Sequence, residues 1–336
     1  MFCGRDDEII FKKLARSGKQ IIGITFVQSI GTFLVVSATF CIVFAIAHIP
    51  YWLGFIFGGI ALATAPAPAL SIVNEYHTNG PVTKTLIPLA ALDDIIGVIV
   101  FFSTIAVISS ARGGETVSAL HVIGMVFLPF VIGIFTGTIA GLSIKVVKSK
   151  IIGFVLLILF LCASAGIGFS VDYFLYHAFN LNYLLIGMAF SATVANIVPD
   201  EKLNGILYLF QQLLTLSLVV VIVNLGMPLD YRLIAGAGFF TFIYIVSRAA
   251  GKIGGAFVGG KITKADPKVT KYLGFTLLPH SGVSLVFTGI AVSALNGIAP
   301  SLASIVSGTI VAAAIINEII AVIVAKAAFR KADEIN

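Results

Sequence analysis

Charge is what this chain has least of. Asp, Glu, Lys and Arg supply only 11% of its 336 residues, where a soluble globular domain carries about 25%. So few charges cannot clothe a surface in water. Cysteine is scarce as well: Cys3, Cys41 and Cys162 lack metal-site spacing, and the last two fall in apolar runs, so they read as small packing residues. No polar stretch is long enough for a soluble domain. The net charge of +6 is spread over short loops rather than gathered in a patch, which excludes a nucleic-acid surface. The opening "MFCGRDDEIIFKKLARSGKQ" shows no cleavable signal peptide; residues 1–20 read as a cytoplasmic amphipathic lead-in.

What is plentiful is apolar length. Hydrophobic residues make up 59% of the chain, in recurring runs of about 20, each long enough to cross a bilayer as a helix. The expectation is an all-α polytopic membrane protein with about ten transmembrane helices, over 21–47, 51–77, 81–109, 118–145, 151–170, 180–198, 202–226, 231–260, 269–295 and 299–327. Residues 21–328 form the membrane domain, with a core of 21–109 and 230–328, scaffold helices over 118–226, and a cytoplasmic tail at 329–336. With the N-terminus in the cytoplasm and strict alternation, 17 of the 21 Lys and Arg residues fall on the cytoplasmic side. Only Arg112 and Arg232 fall outside. That bias orients the chain in a cell membrane with both termini cytoplasmic.

The two remaining basic residues, Arg248 and Lys252, lie inside the eighth segment. Buried charge in a span is costly and marks function by default. The inventory is short: Asp93, Asp94, Arg248, Lys252 and Glu318. Asp93 lies nine residues in from Lys84, and Lys252 nine in from Lys261. At 1.5 Å per residue both sit roughly 13 Å deep. An ion pair between the two helices is therefore possible, with Arg248 one turn further along the same face. Adjacent residues on a helix point about 100° apart, so Asp93 and Asp94 cannot face one partner. One acid can pair with a base while the other faces a cavity. Neighbouring carboxylates in low dielectric titrate as a coupled unit, suited to trading a proton for a cation. A purely structural ion pair would leave the second acid unexplained. An intramembrane aspartyl protease would need two acids facing each other across a site, usually from different helices.

Two segments are interrupted at mid-span. "LATAPAPALSI" carries Pro66 and Pro68; "TLLPHSGVSL" carries Pro279 and Gly282. Proline removes a backbone donor and clashes with the preceding turn. Broken helices at membrane depth are tolerated where they line a cavity, and their ends can hold ions. The breaks fall in the middle helix of two matched triplets, segments one to three and eight to ten, separated by an odd number of crossings. That is an inverted repeat. His280 in the second break reads as a neutral hydrogen-bonded residue before a pH sensor, as does His77 at a helix end. Glu318 is either a counter-charge for Arg248 or Lys252, or a hydrogen-bonded structural acid. Gln211 and Gln212 read as interhelical glue. "GKIGGAFVGG" lies within a span, so it is a close-packing stripe and not a phosphate loop.

"ATAPAPALSIVNEYHTNGPVTKTLIPLAALDDIIGVIVF", "SRAAGKIGGAFVGG" and "LGFTLLPHSGVSLVF" closely resemble the first broken helix with its acidic helix, the basic helix and the second broken helix of monovalent cation:proton antiporters. The likeness is to the antiporter-2, NapA-like type, and covers essentially the whole chain. It implies an elevator-like exchanger of sodium or lithium for protons that needs no cofactor and is not an enzyme. Asp94 would be the main cation and proton ligand, Asp93 the partner of Lys252, and Thr64 with nearby carbonyls would complete the sodium site. Arg248 competes for the basic role. The Asp–Asp pair resembles electrogenic members that move two protons per sodium. Ala65 stands where the family usually has Ser or Asp. Relatives have about twelve to fourteen spans and form homodimers through their opening helices, and this chain begins where their second or third helix ends. Two other readings remain: a potassium/proton antiporter, and a truncated, non-transporting membrane fragment or subunit.

Overall fold

The computed structural model describes residues 11–65, 67–113, 119–174, 183–199, 201–210, 231–296 and 299–335. Every regular element among them is an α-helix: α1 (Phe11–Ile46), α2 (Leu53–Ala61), α3 (Ala67–Tyr76), α4 (Pro81–Gly113), α5 (Ala119–Val146), α6 (Lys150–Phe174), α7 (Tyr183–Ile197), α8 (residues 201–210), α9 (Tyr231–Ile262), α10 (Pro267–Thr276), α11 (Gly282–Asn296) and α12 (Pro300–Lys331). Five stretches are long and apolar enough to cross a membrane: Gly18–Ile46, Pro81–Ile108, Phe127–Val146, Lys150–Phe174 and Pro300–Lys331. The polar lead-in joins the first of these at Gly18, whose φ of 78° and ψ of 166° break the helix in a conformation only glycine reaches without strain. Described helix falls within each expected segment; residues 118, 180–182 and 211–226 lie outside the described residues, and 51–77 and 269–295 are broken at mid-span. Gln211 and Gln212 therefore lie outside the described residues, as does Cys3. Cys41 is half-buried, but Cys162 is exposed on its helix, contrary to the buried reading.

The chain divides into two compact units. One comprises Met1–Arg16 and Ser110–Ser217. Within it α5 carries a glycine stripe, and a Cβ at Gly137 would meet the Phe190 carbonyl oxygen of α7 at 2.7 Å, so these two helices touch backbone to backbone. Ala140, Ile144, Leu157, Phe190 and Val194 are buried around that contact.

The other unit, Ser17–Ser109 with Leu218–Asn336, holds every charged residue singled out at mid-span. It shows one pattern twice: long helix, broken helix, long helix, as α1/α2–α3/α4 and α9/α10–α11/α12. The breaks are described over residues 62–65 and 277–281. They meet in an antiparallel bridge between Thr64 and His280, with Ala65 N donating to Pro279 O at 3.4 Å. The prolines act less as obstacles than as starts. Pro68 is the second residue of α3, where a missing N–H costs nothing. Gly282 opens α11, and Ser281 Oγ accepts from Val283 N at 3.1 Å there as a cap. Pro66 lies outside the described residues.

"GKIGGAFVGG" sets the depth of the basic helix. A Cβ at Gly251 would meet Thr32 Cα at 2.8 Å, at Gly255 Gln28 Cα at 2.8 Å, and at Gly259 Ile24 Cα at 3.0 Å. Four-residue spacing on both sides makes α9 and α1 an intimate antiparallel pair, as small residues permit in lipid. Replacing Gly255 by Val is expected to force the two helices apart at about 1–3 kcal/mol of overpacking, read as a lower unfolding temperature in detergent. An unchanged transition would show the contact is not structural.

Candidate functional site

Asp93, buried on α4, has both oxygens occupied. Its Oδ2 accepts from Lys252 Nζ at 2.5 Å and from Thr64 Oγ1 at 2.6 Å, and its Oδ1 accepts from Ser29 Oγ at 2.6 Å. Lys252 and Asp93 are both fully buried, so this is a desolvated ion pair. Such a pair is tolerated only when further hydrogen bonds fill its remaining positions. They do: Lys252 Nζ also donates to Thr64 Oγ1 at 2.7 Å and to the Leu62 carbonyl. Gln28 meets all its neighbours when its amide nitrogen donates to Asp93 Oδ1 at 3.3 Å and its oxygen accepts from Lys252 at 3.0 Å.

Asp94 is bonded quite differently. Turned from Asp93 by the helix, it accepts from Thr64 N at 3.2 Å and remains only partly buried. The described ion pairs are Lys252–Asp93 and Lys268–Asp333, and Asp94 belongs to neither.

Arg248, also buried, makes no ion pair among the described residues. Its guanidinium is spent on backbone carbonyls of both breaks: Nε donates to Ala61 O at 3.0 Å, Nη2 to Ala63 O at 2.9 Å and to Pro279 O at 3.2 Å, and Nη1 to Leu278 O. Ala61 O belongs to the last turn of α2, where the helix dipole is negative, and the other three lie in the breaks beyond α2 and α10. Arg248 thus caps α2 and stitches the two breaks together. The fork of five donors on a planar group suits this; an ammonium could not span both strands. The question left open by spacing has a geometric answer: Lys252 faces Asp93, and Arg248 faces carbonyls.

The carbonyls expected to help hold a cation each already accept a hydrogen bond from a base. Those of Ala61, Leu62 and Ala63 accept from the two α9 bases, and Ser284 Oγ also donates to Ala63 O at 3.4 Å. Thr64 contributes its N–H to Asp94, while its hydroxyl sits between Asp93 and Lys252. His280 is buried; its Nδ1 lies 3.5 Å from Asn317 Nδ2, its ring centroid 5.6 Å from that of Tyr244, and its Nε2 has no hydrogen-bond partner. Asn317 donates to Leu278 O at 2.5 Å and so braces the second break. Its neighbour Glu318 is exposed and forms no ion pair with Arg248 or Lys252. His77 is exposed after α3 in a left-handed turn, φ 48°. Among the described residues no cluster of three or more His, Cys, Asp or Glu side chains could hold a metal ion in the usual way.

Gln28, Ser29, Asn317 and Ser284 escaped the sequence reading. Their signal was present, since "VQS" is the polar island in the first span. A search confined to charges passes over it.

A family model described as sodium/hydrogen exchanger, transmembrane, matches residues 8–328. No curated protein sequence matches the chain. The fold is similar to that of the sodium proton antiporter MjNhaP1 from Methanocaldococcus jannaschii at pH 8: TM-score 0.75, 18% identity, covering 97% of this chain and 81% of that one. An electron-microscopy structure of the same antiporter gives 0.63 at 16% identity, covering 94% and 77%. These matches keep the kind of protein expected and move its finer label away from the antiporter-2, NapA-like type. With two crossed breaks, a bonded acid beside a less buried one, and a family match over nearly its whole length, the chain belongs to the sodium/hydrogen exchanger family of multi-pass membrane transporters, which are not enzymes.

Proposed function

We propose that the chain exchanges sodium for protons with Asp94 as the carrier carboxylate and Asp93–Lys252 as the neutralised pair beside it. The unequal bonding of the two adjacent acids carries this reading. Asp93 accepts from Lys252, Thr64 and Ser29, whereas Asp94 accepts one backbone N–H and keeps part of its surface open. A carboxylate with unfilled acceptor positions in a low-dielectric site needs a neutralising partner. A proton and a monovalent cation compete for the same oxygens, so one must leave before the other binds. That competition is exchange.

Lys252 adds a second competition. Its ammonium holds Asp93 Oδ2, Thr64 Oγ1 and the Leu62 carbonyl, so a cation drawing on the Thr64 hydroxyl must displace it. Arg248 keeps the crossed ends together while this happens, because its partners are carbonyls that carry no proton. Residues 21–109 and 230–328 then act as the moving core and 118–226 as the scaffold. The placement of Lys and Arg supports cytoplasmic termini in a cell membrane, and the family resemblance a homodimer.

The test is the chain reconstituted in vesicles. Sodium or lithium added outside is expected to alkalinise the lumen as protons leave. A response to potassium alone would replace sodium by potassium as substrate. No response to any of the three would overturn the exchange reading and favour a non-transporting membrane subunit.

A further inference from the structure

The most heavily bonded carboxylate outside the site belongs to a residue that charge patterning passes over. Glu334 follows α12 and is buried. Its Oε1 accepts from Val82 N at 2.8 Å, and its Oε2 from Thr83 N at 3.1 Å and Thr83 Oγ1 at 2.6 Å. Val82 and Thr83 open α4, the helix that bears Asp93 and Asp94. The first four N–H groups of a helix lack partners within it. Among those of α4, Pro81 has none and Glu334 takes the next two, while Lys84 N already makes the first-turn bond back to Gly80 O at 3.0 Å. The charge of this cap complements the positive end of the helix. The turn before α4 makes room for it, since a Cβ at Gly80 would run into the Glu334 carboxylate.

The end of α12 is shaped to deliver this group. Asp333 takes a left-handed conformation, φ 57°, and Glu334 N returns to Phe329 O at 3.0 Å, closing the helix and turning the chain back. Ala332 is fully buried, and Ile335 packs on the core built from Val82, Leu86 and Leu89 of α4. About two turns before Glu334, Lys326 Nζ donates to the Tyr76 hydroxyl at the end of α3, and its ammonium lies 4.4 Å from that ring's centroid. The last residues thus grip both sides of the α3–α4 turn.

We propose that Glu334 is a positioning residue for cation binding: by clamping the first turn of α4 it fixes where Asp94 stands against Thr64. The proposal rests on the exchange reading above. A helix is stiff, and about 12 residues at 1.5 Å place the acids roughly 18 Å from the clamp. Asp94 and Thr64 come from different elements, and a single 3.2 Å bond joins them. Displacing α4 separates the groups that must converge on the cation, so affinity suffers before turnover does.

The experiment is Glu334→Ala, with Glu334→Asp and Thr83→Val beside it, in reconstituted vesicles and in detergent. Glu334→Ala is expected to raise the apparent sodium KM about tenfold with the maximal rate within about twofold, equivalent to about 1.4 kcal/mol in binding. Glu334→Asp, which keeps the charge on a shorter stem, recovers part of that loss. Thr83→Val, which removes one of the three donors, shows a smaller rise. Hydrogen exchange at the first turn of α4 should quicken in Glu334→Ala. A KM within twofold of the parent in a folded Glu334→Ala protein overturns the proposal. If that variant does not fold, an unchanged KM in Thr83→Val does so. If the parent chain itself moves no protons, the exchange reading falls. The exchange rate of the α4 amides then decides the clamp alone, and unchanged protection sinks it.

Discussion

Asp94→Asn is expected to reduce sodium-driven proton movement to the background of empty vesicles while leaving the protein folded. Asparagine keeps the size of the side chain and an oxygen that can still accept from Thr64 N, as Asp94 does at 3.2 Å. It cannot take up a proton and cannot neutralise a sodium ion, so both halves of the exchange disappear together. Little fold energy is at stake, because the acid makes no ion pair and the one bond described for it survives. The unfolding temperature should move by no more than a typical surface change of about 0.5 kcal/mol implies. Normal exchange by a correctly inserted Asp94→Asn protein would remove the carrier role from this residue.

Lys252→Ala should have the largest effect on stability. It strands the Asp93 carboxylate, fully buried, with only hydroxyls and an amide around it. Removing one partner of a buried pair costs about 3–5 kcal/mol. Removing both should recover much of that, so a cycle pairing Asp93→Ala with Lys252→Ala should show strong coupling. Arg248→Ala is destabilising for a different reason: it takes one donor from each of four carbonyls of the two breaks. In a cycle with Asp93→Ala it should come out close to additive, within about 0.5 kcal/mol. Thermal unfolding of the three single and two double variants in detergent measures both. Equal coupling of Asp93 to Arg248 and to Lys252 would contradict the division of labour drawn from the geometry.

Arg248 and Lys252 mark where sequence reading stopped. They lie one turn apart on one helix face, at similar depth and with the same charge. Either could have met Asp93 by any argument from spacing. What separates them is their partners, which come from α4 and from the two breaks, scores of residues away. The donors that meet the expected cation-holding carbonyls were hidden for the same reason. That residues 61–63 would end a helix followed from the prolines, but that two bases would cap their oxygens did not. Glu318 was weighed as a counter-charge because it shares a span's interior, yet it is exposed and pairs with neither base. Glu334 gives no sequence signal, because an acid beside Asp333 in a short polar tail looks like any solvated end.

The sequence by itself determined the all-helical membrane fold, since apolar runs of bilayer length leave no other way to satisfy the backbone. It determined the two interruptions, which proline and glycine impose locally, and the common depth of Asp93 and Lys252, which is counting at a fixed rise per residue. Tertiary structure alone decided which base meets which acid, which carbonyls are already spent, and that the end of the chain closes over the start of α4. Those outcomes depend on side chains from distant elements converging within hydrogen-bond reach. Local pattern is silent about that, because hydropathy and periodicity say how deep a residue sits and which way its helix turns it, but not what is waiting on the other side.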